Sequence, residues 1–251
     1  MKNKTVVIGV VSIFLLTSLA ALPGLGMKII GTEGIYDDII TVEPAEPNGN
    51  FEWYVTPVDV TFHAEDDIRL AYIYYKVTTD GMEEPEWTEV DIRDEQTARY
   101  DLTITIDYDG IHHAHFYAVD HVDNVGPVHS SSWIKIDMTS PTVTELQKEK
   151  MDILGGVIIF TAVADDATSG IHTVKFYVDG GTEPINEDTS EPYQWTYELI
   201  DWIDTGIQHT VTAEAYDYAG NSASKSASTP RSGFALLFRF ALLFIILHFY
   251  S

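Results

Sequence analysis

The chain has 251 residues, 45% of them apolar, which is enough for one or two packed domains. Thirty-nine acidic residues against 14 basic ones give a net charge of −25, which excludes the basic footprint of a nucleic-acid binder and permits cation binding. Cysteine is absent, so disulfides, thiolate metal sites and cysteine nucleophiles are excluded, and any fold must rest on core packing.

The basic start Met1-Lys2-Asn3-Lys4 leads into an apolar run from Val6 to Leu22, with small residues at Ala20, Ala21, Gly24 and Gly26. That layout predicts a signal helix over residues 1–26, cleaved near Ala21–Gly26 on export. Residues 27–50 mix Gly, Pro and acid and read as a lead-in linker.

From Phe51 the pattern changes to alternation of period two, the mark of half-buried strands. Phe51, Trp53 and Val55 alternate first. Val58, Val60 and Phe62 follow, against Asp59, Thr61 and His63, and end at Glu65-Asp66-Asp67. Ile73, Tyr75 and Val77 close at the turn Asp80-Gly81, and Trp87 and Val90 mark a short strand. Tyr100, Leu102, Ile104 and Ile106 alternate with Asp101, Thr103, Thr105 and Asp107, and Asp109-Gly110 turns the chain again. The stretch His115 to Asn124 comes next, with Ala114, Phe116 and Ala118 on one face; Trp133, Ile134 and Ile136 end the unit. Short strands bounded by turn residues, with no helical period between them, predict an antiparallel sandwich over residues 51–137.

The same order returns over residues 138–229. Val157, Ile159, Thr161 and Val163 run into Asp165-Asp166; Val174, Phe176 and Val178 end at Asp179-Gly180-Gly181. Pro192 to Tyr197 gives the next strand, and Thr212 to Asn221 repeats His115 to Asn124, with Val211, Ala213 and Ala215 on one face. Ile73 and Val174 lie 101 residues apart, Ala118 and Ala215 97 apart. A period of that size means a duplicated domain. Residues 230–251 then form a spacer and an apolar stretch from Gly233 to Tyr250, broken by Arg239. This predicts a C-terminal hydrophobic helix that tethers the chain to a membrane; Arg239 costs about 3 kcal/mol at mid-bilayer but lies near one end.

Several stretches carry a family resemblance. Thr161 to Ile171 (TAVADDATSGI), Val174 to Gly180 (VKFYVDG), Glu191-Pro192-Tyr193-Gln194-Trp195 and His209 to Asn221 (HTVTAEAYDYAGN) resemble the bacterial immunoglobulin-like repeats of prokaryotic secreted and surface proteins. The first copy is similar through Tyr54 to Val58, Tyr74 to Val77, Gly110-Ile111-His112 and Trp133 to Asp137. It departs at Ile68-Arg69-Leu70, where the repeats carry Ser-Gly, and at Val125-Gly126. The resemblance implies two tandem immunoglobulin-like β-sandwiches in an all-β chain, without catalytic residues, serving as stalk, spacer or adhesive element at the cell surface. The expected partners are the membrane through the tail and an envelope protein or glycan, and no cofactor is required.

Three constellations could carry chemistry. Asp66, Asp67, Asp120 and Asp123 end strands of the first copy, and Asp165, Asp166 and Asp217 hold the matching places in the second. Brought to one pole, such carboxylates could bind Ca²⁺, with the linker near Asp137 the best place; each could equally cap its own turn. His113 and His115 form an H-x-H pair that could start a Zn²⁺ site in a metal-dependent enzyme, or simply face solvent. Tyr72, Tyr74, Tyr177 and Tyr216 fall on outward faces, where aromatics can stack on sugars in a carbohydrate-binding accessory module or serve as strand formers.

Overall fold

The computed structural model describes residues 40–67, 69–151, 157–198 and 208–229. The expected signal segment 1–26 and tail 230–251 lie outside these. Among the described residues no helix is long and apolar enough to cross a membrane, and every regular element is a strand.

In the first sandwich β1 (Ile40–Glu43), β3 (Val58–Glu65) and β6 (Arg99–Ile106) form one antiparallel sheet in the order β1-β3-β6. The opposing sheet runs β2-β9-β7-β4-β5, from β2 (Trp53–Tyr54), β9 (Ile134–Ile136), β7 (Gly110–Asp120), β4 (Leu70–Thr79) and β5 (Thr88–Asp91). The short β8 (His129–Ser130) also pairs with β7. Alternation decides the faces: Val58, Val60, Phe62 and Ala64 point inward from β3, and Ala114 and Phe116 meet them from β7. Phe62 and Phe116 stack at 5.0 Å across the gap. Each buried phenylalanine contributes about 2–3 kcal/mol of transfer free energy.

The second sandwich pairs a three-stranded sheet, β10-β11-β14, with a four-stranded one, β13-β12-β15-β16. Its strands are β10 (Thr142–Met151), β11 (Val157–Asp165), β12 (Ile171–Val178), β13 (Asn186–Asp188), β14 (Tyr193–Glu198), β15 (Thr210–Asp217) and β16 (Ser222–Ser228). Bulk is redistributed between the copies. Where β7 carries Phe116, β15 carries Ala213, and the space is filled from the other sheet by Trp195, 5.5 Å from Phe160 and 6.3 Å from Phe176. Core density has to be met by one side or the other.

The first sandwich starts earlier than the alternation indicates. Ile40–Glu43, inside the expected lead-in 27–50, is a strand whose Ile40 and Val42 pack on the core. Phe51, expected in a strand, sits instead in a tight turn with Glu52, both at positive φ (49° and 65°). Trp133 is outside the core at 59% exposure, while Ile134 and Ile136 are buried.

Candidate functional site

The carboxylates that converge lie where the two sandwiches meet. Asp137 follows β9 and opens the linker to β10; its N–H donates to Tyr54 O at 2.9 Å, continuing the β2–β9 pairing. Asp166 follows β11, where the chain must turn towards β12; its Oδ2 accepts the N–H groups of Thr168 (3.1 Å) and Gly170 (2.7 Å). Asp217 ends β15, and its Oδ1 accepts from the N–H groups of Gly220 (2.7 Å) and Asn221 (2.8 Å). A carboxylate that accepts two or three N–H donors fixes a turn that would otherwise leave those donors without partners.

One ligand oxygen from each of Asp137, Asp166 and Asp217 lies within 4.8 Å of the others. Asp137 and Asp217 are buried, at 0% and 1% exposure. Among the described residues no lysine or arginine forms an ion pair with any of the three. Burial, above all, pushes the Asp137 carboxyl above its ordinary range; the Ser169 and Thr139 N–H donors oppose this, and the neighbouring Asp166 and Asp217 add to it. Three close carboxyl groups without a basic partner suit a hard cation, which takes oxygen ligands at ~2.3–2.6 Å.

Of this group, the sequence names Asp166 and Asp217 as candidate ligands and marks Asp137 only as the neighbourhood. Asp165 faces solvent, because successive strand residues point to opposite sides and Asp166 takes the inward course. Asp66 caps its own turn by accepting from Arg69 N–H at 2.9 Å, and Asp67 is exposed. Asp120 is buried, with its Oδ1 taking the N–H groups of Val122 and Asn124, both at 2.8 Å. Asp123 is exposed at φ 63°. These four first-sandwich carboxylates form no set of three with a common centre among the described residues.

The histidine pair is committed elsewhere. His115 places Nδ1 2.8 Å from Ser130 Oγ and Nε2 3.0 Å from Thr78 Oγ1, so both ring nitrogens have partners. His113 Nδ1 lies 3.1 Å from Ser131 O, and its ring packs on Trp133 with centroids 3.6 Å apart. No third ligand joins them among the described residues. His112 alternates inward and is fully buried, between Thr79 Oγ1 (2.9 Å) and Tyr108 O (3.1 Å); desolvation pushes its pKa down.

The outward aromatics form a ladder. Tyr72 and Tyr74 on β4 are 6.2 Å apart, Tyr74 stacks on Tyr117 of β7 at 4.8 Å, and Trp87 meets Tyr117 edge-on at 4.9 Å. Arg93 covers Tyr72 and Lys76 covers Trp87. Sequence alternation gives the outward course of Tyr72 and Tyr74; the cross-strand partner Tyr117 needs the register Tyr74↔Tyr117.

Residues 138–217 match the family described as Bacterial Ig domain. The match takes in most of the second sandwich, from β10 to the end of β15. Among solved structures, the fibronectin(III)-like modules of Clostridium thermocellum CbhA are 19% identical, covering 75% of this chain and 92% of that one, with a TM-score of 0.34. The FN1–FN3 domains of chicken CNTN1 are 14% identical, covering 75% of this chain and 64% of that one, with a TM-score of 0.36. No curated protein matches the chain. Two of the three joint carboxylates, Asp166 and Asp217, lie in the segment that matches this family, and Asp137 is the residue just before it.

Proposed function

We propose that this is an exported, non-catalytic protein of a prokaryotic cell envelope whose two sandwiches act as a stalk or adhesive element. The observation that supports it is the series arrangement: two separate cores, one of them in the segment that matches the bacterial Ig domain family, joined through a short linker. Such modules hold loops at a distance from the surface that carries them, and the loops are free to vary. In this reading residues 1–26 direct export and residues 230–251 tether the chain. The test is protease added to intact cells making the full chain. Digestion of both sandwiches while a cytosolic marker survives, with release into the medium on deleting residues 230–251, is the expected result. Protection of the sandwiches in intact cells overturns it.

A second reading concerns calcium. The trio Asp137, Asp166 and Asp217 supports a Ca²⁺ ion at the joint, where it would offset the repulsion of close carboxylates and tie linker to module. Thermal melting of the folded protein in millimolar calcium, against chelator and magnesium, is the measurement; an unchanged melting temperature removes the ion and leaves turn capping. The glycan alternative has less behind it. Sugars stack on open ring faces, and here Tyr74 and Tyr117 cover one another while cations cover Tyr72 and Trp87.

A further inference from the structure

We propose that the joint is locked: the two sandwiches are held at one fixed angle by contacts that a hinge would have to break together. Motion between modules is the default for a short linker with a small, polar contact. Here the linker is tied on both sides. On the first sandwich, the turn ahead of β7 supplies Asp109, whose Oδ1 accepts Met138 N–H at 2.8 Å and whose Oδ2 accepts the Thr139 hydroxyl. On the second, Ser169 N–H donates to Asp137 Oδ2 at 3.1 Å. The Asn221 side-chain amide donates to the carbonyls of Asp137 (3.0 Å) and Thr139 (3.3 Å). Asn221 is itself aimed by Asp217, whose Oδ2 accepts the same amide at 3.0 Å.

A second contact lies away from the linker. The turn between β1 and β2 reaches the turn between β15 and β16, where Asn50 N–H donates to Ala219 O at 2.8 Å. At Gly49 the backbones approach too closely for any side chain, and at Gly220 a positive φ calls for glycine. A Cβ on Gly49 would lie 2.6 Å from Ala219 O, and one on Gly220 (φ +103°) would lie 2.7 Å from Asn50 Nδ2. The left-handed backbone at Phe51 presents its ring to His172 (4.9 Å) and Tyr218 (5.5 Å), which also contact each other. Linker and turn contacts are separate anchor points, so a rotation that spares one strains the other.

This inference stands apart from the envelope role: a loose joint would leave that role intact, and a fixed joint says nothing about location. The chain has no cysteine, so two introduced cysteines can be spin-labelled cleanly in the full chain. Thr103→Cys on β6 and Thr196→Cys on β14 are exposed and outside the joint. Pulsed electron–electron resonance should give one narrow distance peak. Phe51→Ala, which removes a 56% exposed ring and touches neither core, and Asn221→Ala should each broaden it about twofold, as expected when module motion returns to its default. Unchanged circular dichroism in Phe51→Ala separates a loosened joint from an unfolded module. A broad distribution in the parent chain overturns the proposal, and so does a peak that stays narrow in both variants.

Discussion

The poles at Asp120 and Asp217 are built from the same parts and end up doing different work. In both, a buried aspartate after an inward-alternating strand takes two backbone N–H groups on Oδ1 and an asparagine amide on Oδ2, from Asn124 at 2.7 Å and Asn221 at 3.0 Å. The backbone bond from the aspartate N–H to the asparagine carbonyl is 3.1 Å in each. What differs is the surroundings. Around Asp120 the turn opens to solvent, with Val122 and Val125 at 65% and 68% exposure. Around Asp217 the first sandwich closes over the turn, Asn221 gains two linker carbonyls, and Asp137 brings another acid. A repeated turn becomes a joint when a neighbour supplies what the turn lacks.

The comparison can be broken most directly by removing each aspartate. Asp217→Ala leaves the N–H groups of Gly220 and Asn221 without an acceptor in a closed setting and loosens the aim of the Asn221 amide on the linker; a loss of about 3 kcal/mol in the second sandwich is expected. Asp120→Ala makes the same deletion, but its orphaned donors reach water more easily, and about 2 kcal/mol is expected in the first sandwich. Urea unfolding followed through each module reads both. Equal losses would mean that the surroundings do not matter.

Asp166→Asn sharpens the calcium side. Oδ2 of Asp166 takes both turn N–H groups, so the amide oxygen can keep them while the charge leaves the trio. The variant should be about 1 kcal/mol more stable without metal, because a repulsive charge has gone. It should also lose any calcium stabilisation, which for the parent chain reaches about 2.7 kcal/mol at a hundredfold excess over Kd. A calcium response that survives the substitution rules out this site.

Acid should act on the two poles with opposite sign. Asp137 has its folded pKa raised above the ordinary 3.8, first by burial and then by its acidic neighbours. Its contribution to stability is therefore full below 3.8 and is lost as pH rises through the folded value. At Asp120 burial pulls upward, but the Asn124 and Val122 donors outweigh it and the pKa falls below 3.8. That contribution is full above 3.8 and is lost as pH falls through the folded value. In chelator, the stability of the parent chain relative to Asp137→Asn should grow on acidification, and relative to Asp120→Asn it should shrink. Parallel trends would contradict the assignment of the two environments.

Much of this was legible from side-chain parity. Val58, Val60 and Phe62, or Val211, Ala213 and Ala215, alternate against polar residues, and the structure buries them as that alternation requires. The strand Ile40–Glu43 escaped because two apolar residues between acids and Pro44 are too short a signal to separate from linker. The acidic pole was legible as composition but not as a set. Asp165 and Asp166 look alike in the chain, and only the turn after β11 decides which one faces Asp217. Asp137 belongs to the other sandwich, so its place depends on how the modules meet, which no local pattern encodes.

The outer faces of β4–β7 and β12–β15 give the gentlest test. Where the first sandwich sets Tyr74 opposite Tyr117, the second sets Lys175 opposite Glu214, and Lys175 lies 5.1 Å from the Tyr216 ring and 3.8 Å from Glu187. The first pairing is aromatic stacking, insensitive to salt; the second is a surface charge pattern that salt screens. Tyr117→Ala should cost the first sandwich about 1 kcal/mol, since it removes the ring between Tyr74 and Trp87, and should cost the same at high ionic strength. Lys175→Ala should cost the second less than about 1 kcal/mol at low salt, and much of that should vanish in 1 M salt, where the Debye length is about 3 Å. If the tyrosine effect fell with salt as the lysine effect does, the ladder would owe its stability to its capping cations, Arg93 and Lys76, and not to its rings.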